Sequence, residues 1–219
     1  MWRAAPARRK PAAGRPALLR PGFDLKPGMR VGLFGGSFNP AHAGHAHVAQ
    51  TARKRLGLDR VIWLVSPQNP LKPTHETGAL AARMAGARAF ARTPGMIVSD
   101  LESRIGSPYT IDTLRALKAR FPGVAFVWLM GADGLAQLHR WRGWTQIAQE
   151  VPMAVIARPG TALRSRFSPA ARRLAHARRP DHATLGLAAS PSPAWVFLTE
   201  PLNFESSTAL RAKAAKRAG

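Results

Sequence analysis

The chain predicts an α/β protein: a Rossmann-like, doubly wound parallel sheet of five to six strands with helices on both faces. Three observations lead there. Short runs such as Val61-Ile62-Trp63-Leu64-Val65 are apolar on both faces, and strands buried on two sides are the habit of parallel sheets. These runs alternate with helical patterns, which supplies the covering layers. The length of 219 residues and the hydrophobic fraction of 46% suit one domain with a substantial core.

Val31–Phe34 reads as the first strand. Ala46–Leu56 follows as a helix, with Val48, Ala49, Ala52 and Leu56 on one face and Gly57 as its stop. Val61–Val65 is the second strand, Glu76–Ala91 an Ala-rich helix, and Met96–Val98 the third strand. Thr110–Arg120 is a helix stopped by Pro122-Gly123. Val124–Met130 is the fourth strand, and Ala132–Leu138 and Gln146–Glu150 are helical. Met153–Ala157 is the fifth strand, closed by Pro159-Gly160, and Trp195–Leu198 is the sixth. Ser206–Ala218 is a last helix with a Ser-Ser-Thr start. Residues 159–193, rich in Arg, Pro, Ser and Ala, read as the least regular part and as holding a mobile loop.

Charge is lopsided, with 33 Lys and Arg against 11 Asp and Glu, a formal net charge of +22. Such a field favours anionic partners without naming one. Much of the excess lies at the start, where Arg3, Arg8, Arg9, Lys10, Arg15, Arg20, Lys26 and Arg30 face Asp24 alone. Residues 1–28 therefore read as a basic, disordered extension and 29–219 as a single domain. A bland decoration of tails and loops by Arg accounts for the charge; nonspecific nucleic-acid binding is the sharper alternative, and would weaken steeply with salt. With no cysteine, disulfides, thiolate catalysis and Cys-based zinc sites are excluded. No apolar run approaches the roughly 20 residues that span a bilayer, so the expected protein is soluble and cytoplasmic. A homo-oligomer is compatible with all of this.

The densest chemical signal is Gly35-Gly36-Ser37-Phe38-Asn39-Pro40-Ala41-His42-Ala43-Gly44-His45, between the first strand and the first helix. Backbone N–H groups at a helix start attract anions, and glycines let a phosphate approach closely. His42 and His45 add donors or positive charge at the same point. The run is neither Gly-x-Gly-x-x-Gly nor a Walker-type Gly-x-x-x-x-Gly-Lys, which disfavours a dinucleotide oxidoreductase or a P-loop ATPase. A zinc site would need further ligands that the neighbourhood does not supply. Two histidines satisfied within a turn remain the bland alternative.

In open α/β sheets, ligands bind beyond the carboxyl ends of the strands. The His-containing turn, the loop after the second strand, Gly131-Ala132-Asp133 after the fourth and Glu205–Thr208 after the sixth should meet on one rim. Ser206, Ser207 and Thr208 supply hydroxyls at a helix start, and Arg211 lies one turn on. Taken alone, that segment reads first as an ordinary Ser/Thr cap with a solvated arginine.

The glycine and histidine segment resembles the His-x-Gly-His motif of the nucleotidylyltransferase superfamily. Its fuller form, Gly-Gly-Ser/Thr-Phe-Asp/Asn-Pro-x-His-x-Gly-His, is similar to that of the bacterial nicotinate-nucleotide adenylyltransferases. Ser206-Ser207-Thr208-Ala209-Leu210-Arg211 resembles that family's Ser-Ser-Thr-x-x-Arg motif, and Gly106-Ser107-Pro108-Tyr109-Thr110-Ile111-Asp112-Thr113-Leu114 its Ser-Tyr-Thr-x-Asp-Thr-Leu stretch. Glu102 and Arg104 precede that stretch in matching positions. Gly131-Ala132-Asp133, followed by His139-Arg140-Trp141 and Trp144, also matches, as does Ala157-Arg158-Pro159-Gly160. The resemblance covers roughly residues 30–212.

The resemblance implies adenylyl transfer from ATP to nicotinate mononucleotide, giving deamido-NAD and pyrophosphate. His42, His45 and Arg211 would be catalytic. Gly35, Gly36, Ser37, Phe38, Gly44, Gly131, Asp133, Ser206, Ser207 and Thr208 would bind ATP. Asn39, Lys72, Tyr109, Thr110 and Trp141 would bind the mononucleotide, with Trp141 stacked on its pyridine ring; Trp144 is as well explained by core packing. Mg2+ would be held through phosphates, with no metal ligand from the protein. Asn39 stands where many members carry Asp. Two rivals stay open: a transferase acting on another phosphomonoester, such as nicotinamide mononucleotide or phosphopantetheine, and a basic nucleic-acid-binding protein.

Overall fold

A computed structural model describes residues 20–68, 77–157 and 165–199. Six strands form one sheet in the order β3-β2-β1-β4-β5-β6. They are β1 (Arg30–Gly36), β2 (Arg60–Val65), β3 (Met96–Ser99), β4 (Ala125–Gly131), β5 (Met153–Ile156) and β6 (Trp195–Leu198). Every pairing is parallel, so the doubly wound sheet expected from the two-sided apolar runs is present. Among the described residues the α-helices are α1 (Ala43–Arg55), α2 (Leu80–Phe90), α3 (Leu101–Ile105), α4 (Thr110–Arg120), α5 (Ala132–Gln137), α6 (Trp144–Glu150) and α7 (Pro169–Arg173).

Because successive side chains on a strand face opposite ways, each strand feeds two cores. Leu33, Ile62, Leu64, Trp128 and Met130 join Leu101, Leu114, Leu117 and Ile147 on one face. Phe34, Val61, Trp63, Val65 and Leu129 join Val48, Ala49 and Ala52 of α1 and Met84 of α2 on the other. Small residues on the buried side of α1 let that helix lie close to the sheet. Its last turn carries Arg53, Lys54 and Arg55, where cations complement the carbonyl end of the helix dipole, and Gly57 in the left-handed region ends it.

The chain winds outward from β1 to β2 and β3, then returns to place β4 on the other side of β1. This reversal opens a crevice at the carboxyl ends of β1 and β4. Strand β1 runs further than its apolar residues suggest, through Gly35 and Gly36, which pair with Leu64 and Val65. A Cβ on Gly35 would stand 2.4 Å from Cη2 and 2.8 Å from Cζ2 of Trp128. The glycine thus serves first to admit the Trp128 indole, which is 1% exposed.

Three expectations need correction. Residues 20–28 are not a free extension: Leu25 is in the core, Phe23 stacks on Phe121 at 5.9 Å, and the Gly28 N–H donates to the Gly123 carbonyl at 2.8 Å. Helix α3 stands where no element was expected. Residues 165–193 pack as short helical turns; Ser168 caps Pro169–Arg173 by accepting from the Ala171 N–H at 3.2 Å, and Ala170, Leu174, Ala177 and Leu187 are buried. The helix over Ser206–Ala218 and the strand exit at Arg158-Pro159-Gly160 lie outside the described residues.

Gly35→Ala should destabilise the fold by about 1–3 kcal/mol, the usual cost of forcing extra volume into a filled core. Urea unfolding measures this, and an unchanged midpoint would show that Trp128 yields freely.

Candidate active site

After Gly36 the chain must turn from strand to helix. Phe38 makes that turn with φ +47°, a conformation bulky residues rarely adopt. Packing holds it there: the ring is 2% exposed, stacks on Trp63 at 5.1 Å and meets Phe34 edge-on at 5.4 Å. The turn delivers His42 to the N-cap of α1. The His45 N–H donates to the His42 carbonyl at 2.9 Å, and the two imidazole centroids are 3.9 Å apart. The spacing-three pair is therefore brought to one point. His42 is 1% exposed, whereas His45 is half-buried against the edge of the Phe38 ring at 4.9 Å.

Beside this turn, at the β1–β4 reversal, lies a cleft of about 290 Å³. Its floor is Gly35, Gly36, Ser37, Ser66 and Trp128; its far wall is Pro108, Tyr109 and Thr110 with Glu102; Arg140, Trp141 and Arg142 close the mouth. Trp128 meets Trp141 edge-on at 6.1 Å, and the Arg142 guanidinium lies 4.5 Å over the Tyr109 ring. An aromatic slot edged by two arginines suits a flat ring carrying negative charge.

Of the residues expected at the site, Gly35, Gly36, Ser37, Tyr109, Thr110 and Trp141 line this cleft. Phe38, Gly44, His42 and His45 belong to the adjoining turn and helix start. Asn39 lies against the loop before α2, its Oδ1 3.1 Å from where a Cβ on Gly78 would stand. Gly131 ends β4 and caps α5, and Asp133 is exposed in the first turn of that helix; both are on the same rim but outside the cleft lining. Trp144 packs against the core. The Tyr109 N–H donates to Ser107 Oγ at 3.3 Å, so it is already engaged. Lys72, Ser206, Ser207, Thr208 and Arg211 lie outside the described residues.

Sequence reasoning gave no role to Ser66, Glu102, Trp128, Arg140 or Arg142. Arg140 stands within the His139-Arg140-Trp141 run, which was the available signal. Glu102 was marked only by its place before the Tyr109 stretch. Helix α3 delivers its carboxyl to the cleft wall, where it is 4% exposed. Burial pushes its pKa up from 4.5 to about 7, against the opposing pull of the Ser66 and Thr113 hydroxyls. Among the described residues, no group of three or more His, Asp or Glu side chains could hold a metal ion, and no helix is long and apolar enough to cross a membrane.

The raised pKa of Glu102 fixes a sign. Between pH 4.5 and about 7 the folded state keeps a proton that the unfolded chain releases, so stability falls as pH rises through that window. The full effect is on the order of 3 kcal/mol. Glu102→Gln should gain stability relative to the parent across the same window in urea titrations at stepped pH; a difference that stays constant with pH would contradict the burial of an ionisable carboxyl.

Comparison with known proteins agrees with this geometry. Residues 33–213 match the cytidylyltransferase-like family model. A probable nicotinate-nucleotide adenylyltransferase of Caulobacter sp. (strain K31) is 71% identical over 188 residues, covering 86% of this chain and 100% of the relative. Its counterpart in Roseobacter denitrificans is 50% identical over 196 residues, covering 89% and 98%. Among solved structures, the Plasmodium falciparum nicotinic acid mononucleotide adenylyltransferase complexed with NaAD superposes with a TM-score of 0.63 at 17% identity, over 84% of this chain and 83% of that one; that likeness concerns the fold. The chain belongs to the cytidylyltransferase-like family and, within it, to the nicotinate-nucleotide adenylyltransferases.

Proposed function

We propose that the protein transfers the adenylyl group of ATP to nicotinate mononucleotide, releasing pyrophosphate and forming deamido-NAD. One observation carries the reading beyond family membership. A single cleft joins the Gly35–Ser37 turn, suited to phosphate, to an aromatic lining of Tyr109, Trp128 and Trp141 suited to a pyridine ring. ATP and a pyridine mononucleotide need those two halves within reach of each other.

In this reading the 5′-phosphate of the mononucleotide attacks the α-phosphorus of ATP in line. A new oxygen–phosphorus bond forms as the bond to the bridging oxygen breaks, and pyrophosphate departs with the electron pair. The nucleophile is already an anion, so no general base is called for. Catalysis then rests on holding the two phosphates in line and meeting the charge that grows on the leaving oxygens. His45, at the open side of the imidazole pair, would contact the α- and β-phosphates, with His42 fixing its position from below. Backbone N–H groups at the start of α1 would add to the same field.

Toward the pyridine, Trp141 offers its ring and the Thr110 N–H begins helix α4. Arg140 and Arg142 at the mouth favour an anionic substrate. When its carboxyl is protonated, Glu102 adds no repulsion. Lys72, the hydroxyls of Ser206, Ser207 and Thr208, and Arg211 keep the phosphate contacts the family motifs imply. A divalent ion such as Mg2+ would be held by phosphate oxygens and would neutralise their charge. A cytoplasmic location is part of this reading.

His45→Ala should lower kcat by about 10²–10³ while remaining folded, as expected for a donor to developing charge. Turnover near the parent value in a variant with native circular dichroism would remove His45 from the mechanism. Pyrophosphate release tests the acceptor, with nicotinate mononucleotide, nicotinamide mononucleotide and phosphopantetheine offered separately. Turnover should be strong with the first. Comparable rates with both pyridines would undo the acid preference, and activity with phosphopantetheine alone would reassign the enzyme.

A further inference from the structure

The mechanism above leaves unused the most heavily bonded buried charge among the described residues. Arg83, on the inner side of α2, is 4% exposed, and four backbone carbonyls accept from its guanidinium. Nη1 donates to the Ser37 carbonyl at 2.8 Å and to the Ser66 carbonyl at 2.7 Å. Nη2 donates to the Pro67 carbonyl at 2.9 Å, and Nε to the Gly78 carbonyl at 2.7 Å.

The placement of these carbonyls gives the arrangement its meaning. Strands β1 and β2 pair in register up to Gly36 and Val65, and the Ser66 N–H still donates to the Gly36 carbonyl at 3.0 Å. Beyond that rung the two chains diverge, one toward the histidine turn and the other toward the loop after β2. The next carbonyls of both are gathered by one nitrogen of Arg83. The side chain acts as an extra rung where the backbone ladder ends, and Ser37 and Ser66 both line the cleft floor. A planar fork with several fixed donors can span such a set, whereas a lysine ammonium is a point donor on a flexible stem.

We propose that Arg83 is a positioning residue for adenylyl transfer: it sets the separation of the β1–α1 turn and the β2–α2 loop, and through them the placement of ATP phosphates beneath the mononucleotide. It reaches no substrate itself and acts through the backbone of Ser37 and Ser66. Gly78 ties the same guanidinium to the approach to α2, so the helix, both turns and the carboxyl ends of β1 and β2 form one unit. A small shift in that unit displaces reacting atoms, and misplacement by about 1 Å can cost 10²-fold in rate.

The inference rests on the adenylyl-transfer reading for its kinetic readout, and the test separates the two. Turnover of the parent enzyme with nicotinate mononucleotide is measured first and decides the reaction. Arg83→Lys and Arg83→Met are then compared by circular dichroism melting, by kcat per folded molecule, and by the Kd for the unreactive α,β-methylene analogue of ATP. In Arg83→Lys, kcat per folded molecule should fall about ten- to a hundredfold, the analogue Kd should rise several-fold, and the retained charge should not rescue either. Parent values of kcat and Kd in folded Arg83→Lys would overturn the proposal, and so would activity losses that merely follow the unfolded fraction with Kd unchanged. If Arg83→Met fails to fold, Arg83→Lys decides. If the parent shows no turnover, the reaction falls while the Kd comparison still judges Arg83.

Discussion

The close approach of β1 to the Trp128 indole is the constraint on which the site depends. Strand β1 is central, and its carboxyl end must pass beside β4 where the strand order reverses. A side chain at Gly35 would occupy the space the Trp128 ring fills. With glycine there, the indole rises through the crevice as its floor and meets Trp141 at the mouth. The same glycine that a phosphate-binding turn would want for backbone access is thus required one step earlier, by packing. The family motif and the core share a residue.

Charge is handled differently above and below that floor. At the mouth, Arg140 and Arg142 stay exposed and raise the local concentration of anions. Beneath it, Arg83 is buried with four hydrogen bonds donated to backbone carbonyls, and desolvation lowers its pKa. In the wall, Glu102 meets burial by holding its proton to about pH 7. A carboxylate fixed in the charged form beside the cleft would oppose a doubly anionic pair of substrates, and burial reduces that opposition on the acid side of neutrality.

Much of this architecture was legible in the sequence because its signals are local. Apolar runs located the six strands, and Thr110–Arg120 and Trp195–Leu198 appear with the bounds expected. Helix α3 was missed because five residues are too few for a period, although Gly106 in the left-handed region marks its end. Residues 159–193 read as irregular in sequence because Arg, Pro, Ser and Ala crowd them without a clear apolar period. The buried set Ala170, Ala171, Leu174 and Ala177 nevertheless repeats at helical spacing, with the arginines on the outer side. The histidine turn announced itself by composition. Trp128 and Arg83 could not, since the first looks like any core residue until register sets it opposite Leu33, from where its indole reaches across to Gly35. The second belongs to a residue type expected in water.

The two halves of the site are anchored in different cores. Phe38 and Trp63, which support the histidine turn, belong to the cluster packed under α1 and α2. Trp128 belongs to the cluster on the opposite face, against which Tyr109 and Trp141 pack. The turn from Gly35 to Phe38 therefore crosses the sheet rim, with its first residue fitted to one core and its last to the other. Residues held in sparsely populated backbone regions persist only where the surroundings over-determine them, and Phe38 meets that condition through three aromatic neighbours. The two faces of one sheet thus support the two halves of the cleft, while the rim between them keeps their separation. Adenylyl transfer as proposed would draw on that arrangement: a wall for each substrate, at a distance set by backbone that neither would have to deform.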